Sequence, residues 1–193
     1  MLGLKLPTDP RWVELVDKDI SAILSDHAWC EQKAASNAIS LIVRYPDHIG
    51  LVEELTRIAQ EEIAHFGMVV ERIKARGLEL EPERKDHYVN ELLTFVRKEG
   101  TRAQRLVDRL LFSAMIEARS CERFKMLSER VADEDLRTFY RELMISEAGH
   151  YTTFITYARK FGGDVDVDAR WQEFLSFEAE LIASYGRKPA MHG

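Results

Sequence analysis

The sequence predicts an all-α protein built from long helices, and three of its features support that prediction. The 193 residues are 46% hydrophobic and 31% charged, with only 10 Gly and 5 Pro, a balance that suits a strongly helical protein. Apolar residues recur at helical spacing over long stretches. Stop signals such as Tyr45-Pro46, Gly77 and Gly162 separate those stretches. Because a chain of this length suits one core, residues 1–193 are predicted to form a single domain.

The predicted helices form two pairs separated by a long connection. Asp9 can cap the first helix, with Pro10 at its first position, and Asp47 can cap the second. The predicted ranges are 9–44, 47–76, 101–131 and 133–161, followed by a fifth helix over 168–185. The connection, 78–100, is expected to carry a short helix around 88–97. Two hairpins joined by one long crossover predict a ferritin-like four-helix bundle, here with an additional C-terminal helix.

Composition and charge argue against several classes of protein. The formal net charge of −6 disfavours a protein that holds nucleic acid by bulk charge alone, although it is compatible with a local basic patch. The start, MLGLKLPTDP, has no secretory-signal pattern, and no apolar stretch approaches the ~20 residues of a membrane helix. Cys30 and Cys121 have neither metal-binding nor redox spacing, so both are expected to be buried thiols in a reducing cytoplasm.

Each of the four long helices is predicted to place one glutamate within an otherwise apolar stripe. Helical spacing puts Glu31 on the first stripe and Glu117 on the third. The second stripe reads Leu51, Leu55, Ile58, Glu62, His65, Val69 and Ile73, and the fourth reads Leu136, Tyr140, Leu143, Glu147, His150, Phe154 and Tyr157. Both carry a glutamate followed three residues later by a histidine on the same face. The chain therefore looks like two copies of one metal-binding hairpin, since Glu62 follows Glu31 by 31 residues and Glu147 follows Glu117 by 30.

Four interior carboxylates require positive charge, and a pair of metal ions is predicted to supply it. An unpaired buried carboxylate is costly, and no Lys or Arg shares these stripes. A Glu plus Glu-x-x-His set is that of di-iron and di-manganese carboxylate proteins. Mixed oxygen and nitrogen ligands suit Fe or Mn better than Zn, and they do not separate Fe from Mn. The predicted metal ligands are Glu31, Glu62, His65, Glu117, Glu147 and His150.

Two further side chains compete for a place at this site. Glu122 lies five residues after Glu117 and off its stripe, so it is expected to support the site from outside or to lie at the surface. His27 lies four residues before Glu31 and can face the site. A satisfied core histidine, or one that supports a ligand, is the favoured interpretation of His27.

Four segments carry a resemblance to a known family. They are HAWCEQKAASNAISLI, QEEIAHFGMV, MIEARSCERFKML and SEAGHYTTFITYARKFG. They resemble the tRNA 2-methylthio-N6-isopentenyladenosine hydroxylase family (MiaE) over most of the chain, and EARSCERF is the most distinctive part. All six expected ligands are present. The resemblance implies a cytoplasmic, ferritin-like, non-haem di-iron monooxygenase that uses O2 to hydroxylate the isopentenyl group of this modified adenosine in tRNA.

The resemblance also implies roles for the ligands and partners. By the likeness of the two hairpins, one Fe ion would be bound by Glu31 and His65 and the other by Glu117 and His150. The remaining two glutamates would be bridges, as in the ferritin-like di-iron proteins that the chain resembles. O2 would be the co-substrate and tRNA the substrate, and an electron donor that the sequence does not identify would also be needed. Three aromatic side chains can line a pocket for the prenyl chain and the purine, although each is more often core: Phe66, Phe112 and Tyr151.

One run of basic residues is a candidate surface for tRNA. It lies where the long connection meets the third predicted helix and comprises Arg97, Lys98, Arg102, Arg105 and Arg109. Glu99 and Asp108 interrupt it, and such a run is usually a solvated helix face. Weaker candidates near the termini are Lys5, Arg187 and Lys188. If these residues contact phosphates, binding should weaken with added salt.

Other functions share the predicted ligands. An iron-storage ferroxidase would have the same site but would assemble into a cage. A di-iron hydroxylase of a free lipid or quinone would expose apolar helices toward a membrane, and none is evident. A peroxidase with a rubredoxin-like site is disfavoured because the sequence has no CxxC pair.

Overall fold

The computed structural model describes residues 2–185 and Met191, and within them every regular element is a helix. The helices are α1 Trp12–Lys18, α2 Ile20–Arg44, α3 Ile49–Ala75, α4 His87–Thr94, α5 Arg102–Arg130, α6 Glu134–Phe161 and α7 Val167–Tyr185. The fifth long helix is confirmed as α7 and the short helix of the long connection as α4. None of these seven helices combines the length and the apolar character that a membrane span requires. The basic candidates Arg187 and Lys188 lie outside the described residues.

The prediction of one continuous first helix is wrong, because the structure has two. Asp19 stands between α1 and α2 with a non-helical backbone, and its side chain accepts a hydrogen bond from the Ala22 N–H at 3.0 Å. A carboxylate at this position satisfies an N–H that has no partner within its own helix. The start also comes later than predicted, since the Asp9 carbonyl accepts the Trp12 N–H at 2.9 Å and α1 begins at Trp12.

The chain divides into two compact units. One contains α2 and α3 and comprises residues 18–85 together with Met191. The other contains α4 to α7 and most of α1, and comprises residues 2–17 and 86–185. They are called here the α2–α3 unit and the α5–α6 unit. The assignment of the whole chain to a single domain stays a prediction.

In the α2–α3 unit a short turn reverses the chain. Tyr45, which precedes a proline and so avoids helical geometry, ends α2, and its N–H donates to the Leu41 carbonyl at 3.0 Å. His48, rather than the predicted Asp47, takes the N-cap position of α3. Gly77 follows α3 with φ +66°, a conformation that glycine adopts without steric cost. The two helices then pack against each other along their length.

The chain that follows α3 is fastened to α2. The Trp29 indole N–H donates to the Glu81 carbonyl at 2.9 Å, and the Glu81 N–H donates to the Ser25 hydroxyl at 3.0 Å. Lys33 forms an ion pair with Glu83 at 2.9 Å. The first part of the long connection is therefore held against the helix that carries Glu31.

In the α5–α6 unit both long helices begin at side chains that satisfy their first N–H groups. Thr101 and Gln104 form a capping box at the start of α5, and the Asp133 carboxylate caps α6. α7 packs against α4 and α5. Its Arg170 donates to the two carboxylate oxygens of Asp108 on α5, at 3.0 and 2.7 Å.

Candidate metal centre

The predicted inward stripes are confirmed by burial. Every residue of the second stripe is buried, and so is every residue of the fourth except the half-buried Tyr157. The six predicted ligands are all buried: Glu31 and Glu117 at 4% exposed, Glu62 at 0%, Glu147 at 2%, His65 at 8% and His150 at 1%. Side chains in such positions have lost nearly all contact with water, so the charge of the carboxylates must be balanced inside the protein.

Three of the predicted ligands come together in the α2–α3 unit. They are called here the α2–α3 half-site: Glu31, Glu62 and His65. Each offers one ligand atom, and these atoms lie within 4.8 Å of one another. The Nδ1 atom of His65 is 3.7 Å from Glu31 Oε2 and 3.6 Å from Glu62 Oε2. Spacing of three residues places Glu62 beside His65 on α3, while α2 contributes Glu31 from the other side of the hairpin.

His27 touches this half-site. Its Nε2 atom lies 2.5 Å from Glu31 Oε1, one helical turn along α2, and its side chain is completely buried. Because a carboxylate accepts, the imidazole N–H is the donor in this hydrogen bond. His27 therefore contacts a predicted ligand, as expected for a histidine that supports the site.

The α2–α3 half-site contains buried negative charge. Burial by itself raises the pKa of Glu31, but hydrogen bonds with Glu62, His27 and His65 outweigh burial and lower that pKa to about 2. Among the described residues of this unit, no lysine or arginine is buried. A charged carboxylate in such surroundings needs a cation, and a metal ion meets that need.

The other three predicted ligands come together in the α5–α6 unit. They are called here the α5–α6 half-site: Glu117, Glu147 and His150. Their ligand atoms also lie within 4.8 Å of one another. The Nδ1 atom of His150 is 3.7 Å from Glu147 Oε2, nearly the same separation as in the corresponding pair on α3. The internal likeness of the two hairpins thus extends from sequence spacing to side-chain geometry.

Cysteine chemistry does not contribute to the α5–α6 half-site. Burial, with the nearby charge of Glu147, raises the pKa of the Cys121 thiol to about 12. The protonated sulfur donates to the Met144 carbonyl at 3.4 Å. Since the thiolate is the form that binds metals, Cys121 is a packing residue. Cys121 is buried as predicted. Cys30 was also predicted to be buried, and it is only half-buried.

The buried arginines of the α5–α6 unit contact groups outside the half-site. Among the described residues they are Arg119, Arg123 and Arg170. Arg119 donates to Glu178 at 2.6 and 2.9 Å and to Glu122 at 2.9 Å. The Arg123 guanidinium lies over a tryptophan ring of α1 at 4.7 Å. Sequence reasoning missed this network, because helical spacing carries no signal for partners that lie 59 residues apart.

The expectation that Glu122 supports the metal site from outside or lies at the surface needs correction. Glu122 is 8% exposed, and its carboxylate accepts from the Thr8 N–H at 2.9 Å, from the Thr8 hydroxyl at 2.6 Å and from Arg119 at 2.9 Å. It therefore fastens the N-terminal segment to α5. The partners of the Glu122 carboxylate are thus a hydroxyl, a main-chain N–H and a guanidinium, and none of them is a predicted metal ligand.

The donor atoms of both half-sites fit iron. Each half-site combines two carboxylates with one imidazole, and such oxygen and nitrogen donors suit Fe or Mn. The carboxylates supply the negative charge that divalent ions need, and their burial excludes competing water. The buried glutamates and histidines therefore fit a di-iron site.

The predicted basic run is only partly exposed. Lys98 and Arg102 are exposed, whereas Arg97, Arg105 and Arg109 are half-buried. The Arg105 guanidinium donates to the Gly100 carbonyl, just before α5. The exposed part of the run is thus centred on the start of α5.

Asp108 does not belong to a solvated face, which corrects the interpretation of that residue. It is completely buried, where it pairs with Arg170 and accepts the Arg97 N–H at 2.8 Å. One of the two acidic interruptions is therefore absent from the surface, while Glu99 is exposed. The sequence could not show this, because Arg170 lies 62 residues away.

The three aromatic candidates for a substrate pocket differ in burial. Phe112 is buried at 5% exposed, whereas Phe66 and Tyr151 are half-buried. The Phe66 ring lies 6.0 Å from that of Trp29, and the Tyr151 ring lies 5.9 Å from that of Trp171. Their contact with substrate stays a prediction.

Sequence comparisons place the chain among tRNA-modifying proteins. The profile of the family described as tRNA-(MS[2]IO[6]A)-hydroxylase (MiaE) matches residues 2–193. A protein of Pseudomonas putida named tRNA 2-(methylsulfanyl)-N(6)-isopentenyladenosine(37) hydroxylase is 40% identical over 190 residues, covering 98% of this chain and 91% of that protein. A protein of the same name from Salmonella typhimurium is 29% identical over 238 residues, covering 98% of this chain and 87% of that protein.

A solved structure confirms the predicted fold class. The protein described as protein 43 with aldehyde deformylating oxygenase activity, from Synechococcus, matches with a TM-score of 0.90 and 34% identity. The match covers 98% of this chain and 95% of that one. The all-α, ferritin-like fold predicted from two helical hairpins and a long crossover is therefore confirmed.

Proposed function

The chain belongs to the tRNA-(MS[2]IO[6]A)-hydroxylase (MiaE) family, and we propose that it hydroxylates the isopentenyl group of 2-methylthio-N6-isopentenyladenosine in tRNA with O2 and two electrons. Both curated relatives carry the name of this hydroxylase. The observation in the structure that carries the proposal is the pair of buried half-sites, each with two glutamates and one histidine. A site of this composition suits oxygen chemistry and has no evident use in a purely structural bundle.

Two Fe ions are the proposed cofactor. Glu31 and His65 would hold one ion and Glu117 and His150 the other, with the remaining glutamate of each half-site as a bridge. When bound, such a pair supplies electrons for the activation of O2. The protein's own share is to orient the six donor atoms, to balance the positive charge of the ions with its carboxylates and to keep stray water from the site. Family membership supports this arrangement over a ferroxidase or a hydroxylase of another small substrate.

The proposed partners follow from the substrate. The enzyme would bind tRNA in the cytoplasm and would take two electrons from a separate donor protein or reductant. A hydroxylation by O2 retains one oxygen atom in the product and reduces the other to water, so the two electrons are required for balance.

Single-turnover oxidation tests the proposed function. Iron-loaded, chemically reduced protein is mixed with O2 and with tRNA that carries the isopentenylated adenosine, and the nucleosides are analysed by mass. We expect a gain of one oxygen atom on that nucleoside. Glu147→Ala should give none, because it removes a proposed ligand from the α5–α6 half-site.

A different result would redirect the proposal. Oxidation of iron without change in any nucleoside would contradict tRNA hydroxylation and would favour a ferroxidase or another small substrate. Native mass then separates these two, because a ferroxidase of the storage type assembles into a cage.

The exposed start of α5 is the proposed tRNA surface. Replacing Arg102 and Arg105 by Glu is expected to weaken tRNA binding, because each replacement puts a negative charge where a phosphate would lie. If both residues contact phosphates, the negative slope of log K against log salt should become shallower by roughly two. Binding is measured by filter retention or fluorescence anisotropy at several salt concentrations, with iron content as a check on the metal centre.

A matched charge reversal elsewhere is the control for this surface. Lys33 and Arg57 are basic residues of the α2–α3 unit that pair with Glu83, Glu54 and Glu61. Replacing Lys33 and Arg57 by Glu makes the same change in net charge, and it should leave the slope nearly unchanged. Equal losses in the two double variants would mean that only overall charge matters, and the surface at α5 would be rejected.

A further inference from the structure

The two oxygen atoms of Glu31 have different neighbours, because His27 contacts one of them. Its Nε2 atom lies 2.5 Å from Glu31 Oε1, and the four-residue spacing on α2 places the two side chains in the same row. Neither side chain has appreciable contact with water, at 0% and 5% exposed. Water therefore offers no competing donor for that oxygen.

The second oxygen of Glu31 faces the donors on α3. Glu31 Oε2 lies 3.7 Å from His65 Nδ1, and Glu62 Oε2 lies 3.6 Å from the same nitrogen. One atom from each of the three residues thus converges on a common region. Oε1 is held by His27 while Oε2 is presented to the half-site.

The second hairpin has a different residue at the corresponding position. Four residues before Glu117 stands Ser113 in place of a histidine. The Ser113 hydroxyl donates to the Arg109 carbonyl at 3.1 Å, one turn back along its own helix. The two half-sites therefore match in their ligands and differ in what stands one turn before the first glutamate.

We propose that His27 is a positioning residue that holds Glu31 as a one-oxygen metal ligand and so makes the metal position of the α2–α3 half-site unlike that of the α5–α6 half-site. This inference rests on the proposed function, since it takes the iron pair as given. Hydrogen bonds from outside the ligand set orient ligands, and their loss typically lowers metal affinity about 10- to 100-fold. A carboxylate that binds through one oxygen uses one coordination position, whereas a chelating carboxylate uses two.

Mössbauer spectroscopy of the 57Fe(II)-loaded protein without oxygen tests the role of His27. We expect two distinct quadrupole doublets in the unaltered protein. In His27→Leu one doublet should change while the other remains, and the affinity for one of the two Fe(II) equivalents should fall about 10- to 100-fold. His27→Asn is a second variant without the donor, because the shorter asparagine amide does not extend to the place of the His27 Nε2 atom. It replaces the leucine variant if that variant fails to fold.

Two further variants decide whether the hydrogen bond is the cause. His27→Gln retains an N–H at similar reach and is expected to restore the original spectrum and affinity. Ser113→Ala is the matched change in the other hairpin and should alter neither doublet. The role of His27 is rejected if the donor-removing variants keep the original spectrum, or if the glutamine variant behaves as they do. Failure of the unaltered protein to bind an iron pair would instead overturn the metal centre itself, and this proposal with it.

Discussion

Replacing Glu117 by alanine is expected to abolish binding of the iron pair, while replacing Glu122 should leave it intact. Glu117 is one of three proposed ligands in the α5–α6 half-site, so its loss leaves that position with one carboxylate and one imidazole. The Glu122 carboxylate is bound by Thr8 and Arg119 instead. Iron content after loading and desalting checks this: about two ions per chain are expected for Glu122→Ala, as for a di-iron protein, and clearly fewer for Glu117→Ala.

The two substitutions form a matched pair. Both remove a buried glutamate from the same helix, and the two positions are five residues apart. A general loss of packing on α5 would therefore affect both variants, whereas a missing ligand affects only one. Iron retained by Glu117→Ala but lost by Glu122→Ala would show that the assignment of the α5 ligand is wrong.

Arg119→Met is expected to lower the free energy of unfolding by about 3–5 kcal/mol, because removal of one partner leaves buried charge without compensation. Arg119 and Glu178 are both completely buried, and their atoms approach to 2.6 Å. Burial raises the pKa of Glu178, and the attraction of Arg119 offsets this increase only in part. Urea denaturation of the metal-free protein at neutral pH measures the loss.

Two controls separate lost charge balance from lost packing. Arg57→Met removes exposed ion pairs with Glu54 and Glu61, and it should cost less than about 1 kcal/mol. The double variant Arg119→Met with Glu178→Gln should be more stable than Arg119→Met alone, since it no longer buries that unbalanced carboxylate. If Arg119→Met cost no more than Arg57→Met, the buried network would have no large role in stability.

The burial of the six candidate ligands was predictable because it depends on local periodicity. A helix repeats every 3.6 residues, so a glutamate in register with buried leucines lies on the same buried face. This inference needs only the local sequence of one helix. Glu62 and His65 share a face for the same reason. The likeness of the two hairpins then placed Glu117, and not Glu122, in register with Glu147.

Helix ends were less predictable than helix faces. The apolar pattern runs through Asp19 without interruption, yet the structure breaks there, because the aspartate side chain caps a new helix. A capping hydrogen bond satisfies one backbone N–H without changing the spacing of the apolar residues, so periodicity alone does not reveal it. The same limit explains why His48 and not Asp47 stands at the start of α3.

By itself, the sequence determined the all-α class, the inward faces, the six candidate ligands and the resemblance to a hydroxylase family, because each depends on spacing along one helix or on matching segments. Only the tertiary structure decided which charges are paired. Glu122 binds Thr8 across 114 residues, and Arg170 binds Asp108 across 62. Partners so distant are brought together by the packing of whole helices, and ion pairs have no period that a linear sequence could display.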